Sequence, residues 1–223
     1  MTAVVLTACV TGPKKDNFTV DIFGPAFPAG DIETQIDKTF PMTGLKKIAV
    51  EVSYFPYDDA VCLRYRSDFY NYLQFWSGPG REAFLKAFAQ YNEDYAMRSL
   101  AMKNKKSKKT YGTIEGYLTW QMFSLTRRAD ANMDVELGYA FKENAPYYAV
   151  TQKLTTYVDK ISRDNDANSQ EITMYFTRAQ AQELADFFDP DFLRGLIPPE
   201  MGGKRRTVET EVEADLYYEE SLP

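Results

Sequence analysis

The feature that most constrains this fold is a short stretch that occurs twice, at residues 50–61 and 135–146. The paired positions are Val50 and Val135, Glu51 and Glu136, Val52 and Leu137, Tyr54 and Tyr139, Asp58 and Glu143, and Ala60 and Ala145. Each copy is followed by a strand-like run that changes into a helical pattern. An internal repeat of this kind predicts two similar structural units.

The first unit alternates apolar and polar residues and then changes period. We predict strands at residues 18–23, 45–55, 60–66 and 69–76, and a loop in the Pro- and Gly-rich residues 24–44. Val61, Leu63 and Tyr65 are expected to point inward, with Cys62, Arg64 and Arg66 outward. A helix is predicted to start at Ser77, which is a good N-cap, with Pro79 in the first turn.

The second unit follows the same order. We predict strands at residues 113–123, 133–141, 147–158 and 172–176, with an exposed polar loop at 159–170. Thr177 and Gln180 have the spacing of a capping box and therefore predict the start of a second helix. Asp189 and Pro190 are expected to end that helix.

These patterns predict an α+β protein with two tandem β4α repeats, each an antiparallel sheet with one C-terminal helix. The two repeats could pack as one pseudo-symmetric domain. The predicted divisions are a signal remnant and tether (1–17), a first repeat (18–102), a Lys-rich linker (103–110), a second repeat (111–196) and an irregular acidic tail (197–223). The lysine run is read as a solvated linker rather than as a contact for anionic lipid or nucleic acid. The tail is read as disordered rather than as a late edge strand.

Composition narrows the classes of function. The formal net charge is -6, which argues against nucleic-acid binding, because such proteins carry an excess of Lys and Arg. The chain has no histidine, so it lacks the commonest general base and the commonest metal ligand. We therefore predict no catalytic activity, no cofactor and no metal site. A histidine-free enzyme that uses carboxylates is the third hypothesis.

The residues Leu6-Thr7-Ala8-Cys9 form a motif near the N-terminus. They resemble the lipobox of bacterial lipoprotein precursors, which implies lipidation at Cys9 and a cell-envelope location. Val10 follows the cysteine, and in Gram-negative lipoproteins this is similar to the class directed to the outer membrane rather than the inner one. No Lys or Arg precedes Cys9, so we expect the true start codon to lie upstream. The alternative is an N-terminal segment that matches the motif by chance.

Cys62 is then expected to be an isolated, buried thiol, with a Cys9–Cys62 disulfide as the alternative. Two acidic turns, Asp58-Asp59 and Glu143-Asn144, are the nearest approach to paired carboxylates, and turn formation explains them. The segment Gly78-Pro79-Gly80 could bind an anion, but helix capping is the preferred interpretation.

The strands also carry more aromatic residues than one helix-covered face requires. They could form an exposed binding surface, although burial in the core is the favoured interpretation. The candidate surface residues are Tyr65, Tyr70, Tyr72, Trp76, Tyr117, Trp120, Tyr147 and Tyr148.

The predicted function is a lipid-anchored envelope protein that serves as a non-catalytic binding or structural module. Its expected partners are the membrane and a peptide, glycan or protein ligand. The alternative comes from topology: four strands and a helix, twice in tandem, is similar to PUR-repeat proteins of the Whirly-like class. That resemblance implies binding of single-stranded nucleic acid on aromatic-bearing sheets.

Overall fold

The computed structural model describes residues 18–37, 44–100, 108–122, 128–142, 144–158 and 167–200. Within these residues the helices are α1 (Gly78–Ala96), α2 (Arg178–Phe187) and α3 (Pro190–Gly195). The strands are β1 (Phe27–Asp37), β2 (Leu45–Phe55), β3 (Ala60–Ser67), β4 (Tyr70–Trp76), β5 (Lys108–Met122), β6 (Ala129–Lys142), β7 (Ala145–Gln152), β8 (Thr156–Tyr157), β9 (Ala167–Asn168) and β10 (Ile172–Phe176).

Eight of these strands close into one antiparallel barrel in the order β1-β10-β7-β6-β5-β4-β3-β2. The prediction of two tandem β4α repeats in an α+β fold is therefore wrong. Strands β4 and β5 are separated by α1 in the sequence but pair directly in the structure, for example Tyr72 with Trp120. The two predicted sheets are therefore continuous. Strand β1 closes the barrel against β10, with Ile36 opposite Met174. Strands β8 and β9 form a separate two-stranded sheet.

The first strand also differs from the prediction. Residues 18–23 are not a strand, and β1 occupies much of the segment that was predicted to be a loop. The Pro- and Gly-rich composition was misleading because only Pro28 and Gly30 fall within β1, and both lie near its beginning. The register of β1 and β2 shifts between Pro28 and Gly30, and Gly30 has a φ of 153°. Gly30 also lies against Phe187 of α2, where an added Cβ would come within 2.8 Å of the ring.

The predicted facing of β3 is confirmed, and β2 shows the same alternation. Val50, Val52 and Tyr54 of β2, and Val61, Leu63 and Tyr65 of β3, are all buried in the main apolar core. Alternation with a period of two places such residues on one face of a strand, and barrel closure makes that face the interior.

Helices α1 and α2 cover the same end of the barrel, since each follows a strand that ends there. Ser77 caps α1, and Thr177 with Gln180 forms the predicted capping box of α2. The ring of Phe84 in α1 lies at the centre of this end. Its centroid is 5.8 Å from that of Trp76, 5.3 Å from that of Tyr148 and 4.9 Å from that of Phe188.

Candidate binding groove

The aromatic residues that were candidates for a binding surface are largely internal. Five of them are at most 2% exposed and belong to the core: Tyr65, Tyr72, Trp76, Trp120 and Tyr148. Tyr70, Tyr117 and Tyr147 are half-buried. For these five residues the favoured interpretation, burial in the core, is confirmed, and the alternative of an exposed binding surface is excluded. The rings do not form the open platform on which single-stranded nucleic acid would stack.

A segment that we call the strap, residues 18–26, crosses the outside of the barrel. Val20 packs with Phe55 and Phe75, which point outward from β2 and β4. The backbone N–H of Asp21 donates to Oδ2 of Asp58 at 3.0 Å, which ties the strap to the β2–β3 turn. The strap is thus held by apolar packing and by a hydrogen bond.

Cys62 lies beneath the strap and is 3% exposed. It points outward from β3 as predicted, and its predicted burial as a free thiol is confirmed. Burial raises the pKa of this thiol well above its usual range, which keeps the sulfur protonated and unreactive at neutral pH. Cys9 lies outside the described residues.

A cavity of about 410 Å³, which we call the groove, opens beside the strap over the outer face of β2 to β5. This volume is within the usual range of small-molecule sites, roughly 300–1,000 Å³. Ile22 and Phe23 of the strap form one side, and the ring of Phe23 is 90% exposed. The side chains that matter most on the barrel side are Glu51, Arg64, Asn71, Leu73, Gln121 and Arg128.

The strand register arranges the lining in rows across the barrel. Cys62 and Phe75 are opposite each other in the row under the strap. In the next row Arg64 lies between Glu51 and Leu73, and Leu73 is opposite Thr119. Asn71 and Gln121 are opposite each other in the third row.

Arg128 adjoins this third row. It directly precedes Ala129, and Ala129 is opposite Trp120, which is next to Gln121 in β5. The groove is therefore apolar near the strap and polar away from it.

The charges of the groove are unevenly paired. Arg64 Nη1 lies 3.2 Å from Glu51 Oε2, and both side chains are about 60% exposed, so this pair contributes little to stability. Arg128 makes no ion pair with an acidic residue in the part of the chain that the structure describes. The groove could not be predicted from the sequence, because its arginines look like ordinary outward residues and residues 18–23 of the strap were predicted to be a strand.

The first acidic turn has a structural role. Asp59 has a φ of 46°, as expected in a turn, and its Oδ1 binds Arg81 Nη2 at 2.7 Å. Arg81 is 5% exposed and also donates to the carbonyl oxygens of Asp59 and Trp76.

The Asp59 carboxylate also occupies the start of α1, where an added Cβ on Gly78 would lie 2.8 Å from its Oδ2. The anion site considered at Gly78 is thus filled by the protein itself. In the second acidic turn, Asn144 has a φ of 67°, and Glu143 lies outside the described residues.

Across the described ranges, no group of three or more Cys, Asp or Glu side chains is placed to hold a metal ion. None of the helices in those ranges is both long enough and apolar enough to span a bilayer.

Comparison with known proteins finds no match among curated proteins and none among solved structures. The model of one protein family, described as "Uncharacterised Treponema protein", matches residues 14–195. The matched span includes the strap, the whole barrel and the helices that cover its end. The chain therefore belongs to this bacterial family.

Proposed function

We propose that this protein is a lipid-anchored envelope protein whose barrel is a non-catalytic binding module. The observation that best supports a binding role is the groove beside the strap. Its walls are a closed barrel and a segment fixed by packing and by the Asp21–Asp58 hydrogen bond. A site formed on rigid elements binds without the cost of ordering its own walls.

The anchoring role rests on the lipobox-like residues that end at Cys9. Eight residues lie between Cys9 and Phe18 at the start of the strap, and even a fully extended chain over these nine steps spans only about 30 Å. An acylated Cys9 would therefore hold the strap and the groove close to the membrane. The ligand would be a molecule, peptide, glycan or protein segment of the envelope, with the outer membrane as the favoured location.

Metabolic labelling with an alkyne fatty-acid analogue tests the anchor on the full-length gene product. The chain offers a matched control, because it contains only one other cysteine, Cys62, which is buried. We expect label on the native chain and on Cys62→Ala, and no label on Cys9→Ala. The labelled chain should sediment with membranes, and Cys9→Ala should not. Equal labelling of the native chain and Cys9→Ala, or no label on either, would rule out lipidation at Cys9.

A further inference from the structure

We propose that the groove binds a small amphipathic carboxylate, with its acid group at Arg128 and its apolar body against the strap. This inference rests on the proposed role as a binding module but does not require the lipid anchor.

The first argument is the gradient of polarity along the groove. Outward residues on a strand recur about every 6.6 Å, so the row under the strap and the row of Asn71 are about 13 Å apart. The strap end presents Ile22, Phe23 and Phe55, and Leu73 lies in the next row. The far end presents the side-chain amides of Asn71 and Gln121 beside Arg128. A ligand that fills both ends needs an apolar part and a polar head.

The second argument is charge. The groove is lined by two arginines and one carboxylate, although the whole chain has a net charge of -6. Arg64 and Glu51 pair with each other, which leaves Arg128 with no acidic partner among the described residues. A guanidinium group is suited to bidentate recognition of a carboxylate. The polar head is therefore expected to be an acid rather than an amine or an alcohol.

The third argument is the closed topology. All eight barrel strands have neighbours on both sides, so the barrel offers no free edge to which a peptide could add as another strand. Recognition must use side chains, and the volume of about 410 Å³ suits a small molecule better than a folded partner.

A matched pair of probes tests this proposal: 4-phenylbutyrate and its neutral amide, 4-phenylbutanamide. Binding is measured by calorimetry and by ligand-observed NMR on the Cys9→Ala chain, so that lipidation does not affect the result. We expect the acid to bind about tenfold more tightly than the amide, a difference of about 1.4 kcal/mol. Arg128→Gln should abolish this preference.

The matched control is Arg98→Gln, because Arg98 is exposed just after α1 and does not line the groove. This variant should keep the preference for the acid. Phe23→Ser should weaken both probes by a similar factor, since its ring is exposed and its loss removes apolar contact without unfolding the barrel.

Failure of the acid to bind, or an unchanged preference in Arg128→Gln, would overturn the proposal. Equal binding of acid and amide would leave the binding role intact and refute the acid specificity. An unaffected Phe23→Ser would refute the placement of the apolar body. Each of these results is independent of labelling at Cys9.

Discussion

Phe84 connects the helices to the barrel, and replacing it with alanine tests that arrangement directly. Its side chain is fully buried, and its ring contacts Trp76 of β4, Tyr148 of β7 and Phe188 after α2. Removal of a buried Phe ring typically costs about 3–5 kcal/mol through lost burial and the cavity that remains. Because three structural elements meet on this ring, we expect Phe84→Ala to lower the free energy of unfolding by about 4 kcal/mol.

The assay is equilibrium unfolding in urea, followed by far-UV circular dichroism, with the midpoint and the slope analysed separately. The matched control is Phe69→Ala, because Phe69 is 71% exposed in the β3–β4 turn and should change stability by less than about 0.5 kcal/mol. If Phe84→Ala does not fold, Phe84→Leu should still show a loss of about 1–2 kcal/mol. Similar small losses for both alanine variants would refute the placement of α1 over the end of the barrel.

Three further predictions concern the barrel wall, its interior and the attachment of α1. An added Cβ on Gly138 would lie 2.3 Å from the backbone oxygen of Lys109, whereas one on Gly112 would meet nothing within 4 Å. Gly138→Ala should therefore reduce the free energy of unfolding by about 2–3 kcal/mol and clearly lower the melting temperature. Gly112→Ala should change neither quantity appreciably. Neither amide atom of the buried Gln74 has a hydrogen-bond partner among the described residues, so Gln74→Met should raise the free energy of unfolding by about 1 kcal/mol, as measured in urea. The side-chain hydrogen bond from Lys109 lowers the pKa of Asp94, so this carboxylate stabilises the fold above its unfolded pKa of about 4, and the benefit is lost as the pH falls through the folded pKa. The stability difference between the native chain and Asp94→Asn should accordingly be largest near neutral pH and shrink below about pH 4; a difference that does not change with pH would contradict this assignment.

Local features of the fold could be predicted from the sequence because they depend on neighbouring residues. Strand β2 has the predicted bounds, Leu45–Phe55, and β10 has the predicted bounds, Ile172–Phe176. Ser77 caps α1 as its position before a Pro-containing first turn suggested. The outward direction and the burial of Cys62 were also predicted, since alternation along β3 and the apolar character of a thiol act locally.

The closure of the barrel was decided only in three dimensions. A period of two shows which side chains share a face, but it does not show which strand edges pair. The pairing of β1 with β10 joins residues far apart in the chain, as in the hydrogen bond from Thr34 Oγ1 to the carbonyl oxygen of Tyr175. The repeat at residues 50–61 and 135–146 describes two strands, β2 and β6, on opposite sides of one barrel rather than two separate sheets.

The candidate site depends still more on tertiary structure. Arg64 and Arg128 are ordinary exposed residues in the sequence, and they line one groove only because β3 to β6 are adjacent in the barrel. Phe23 belongs to the groove because Val20 anchors the strap across those strands. The sequence by itself determined the inward and outward faces of β3 and the N-terminal caps of α1 and α2. The tertiary structure decided which outward faces meet, because strand pairing and strap packing bring together residues that local patterns cannot relate.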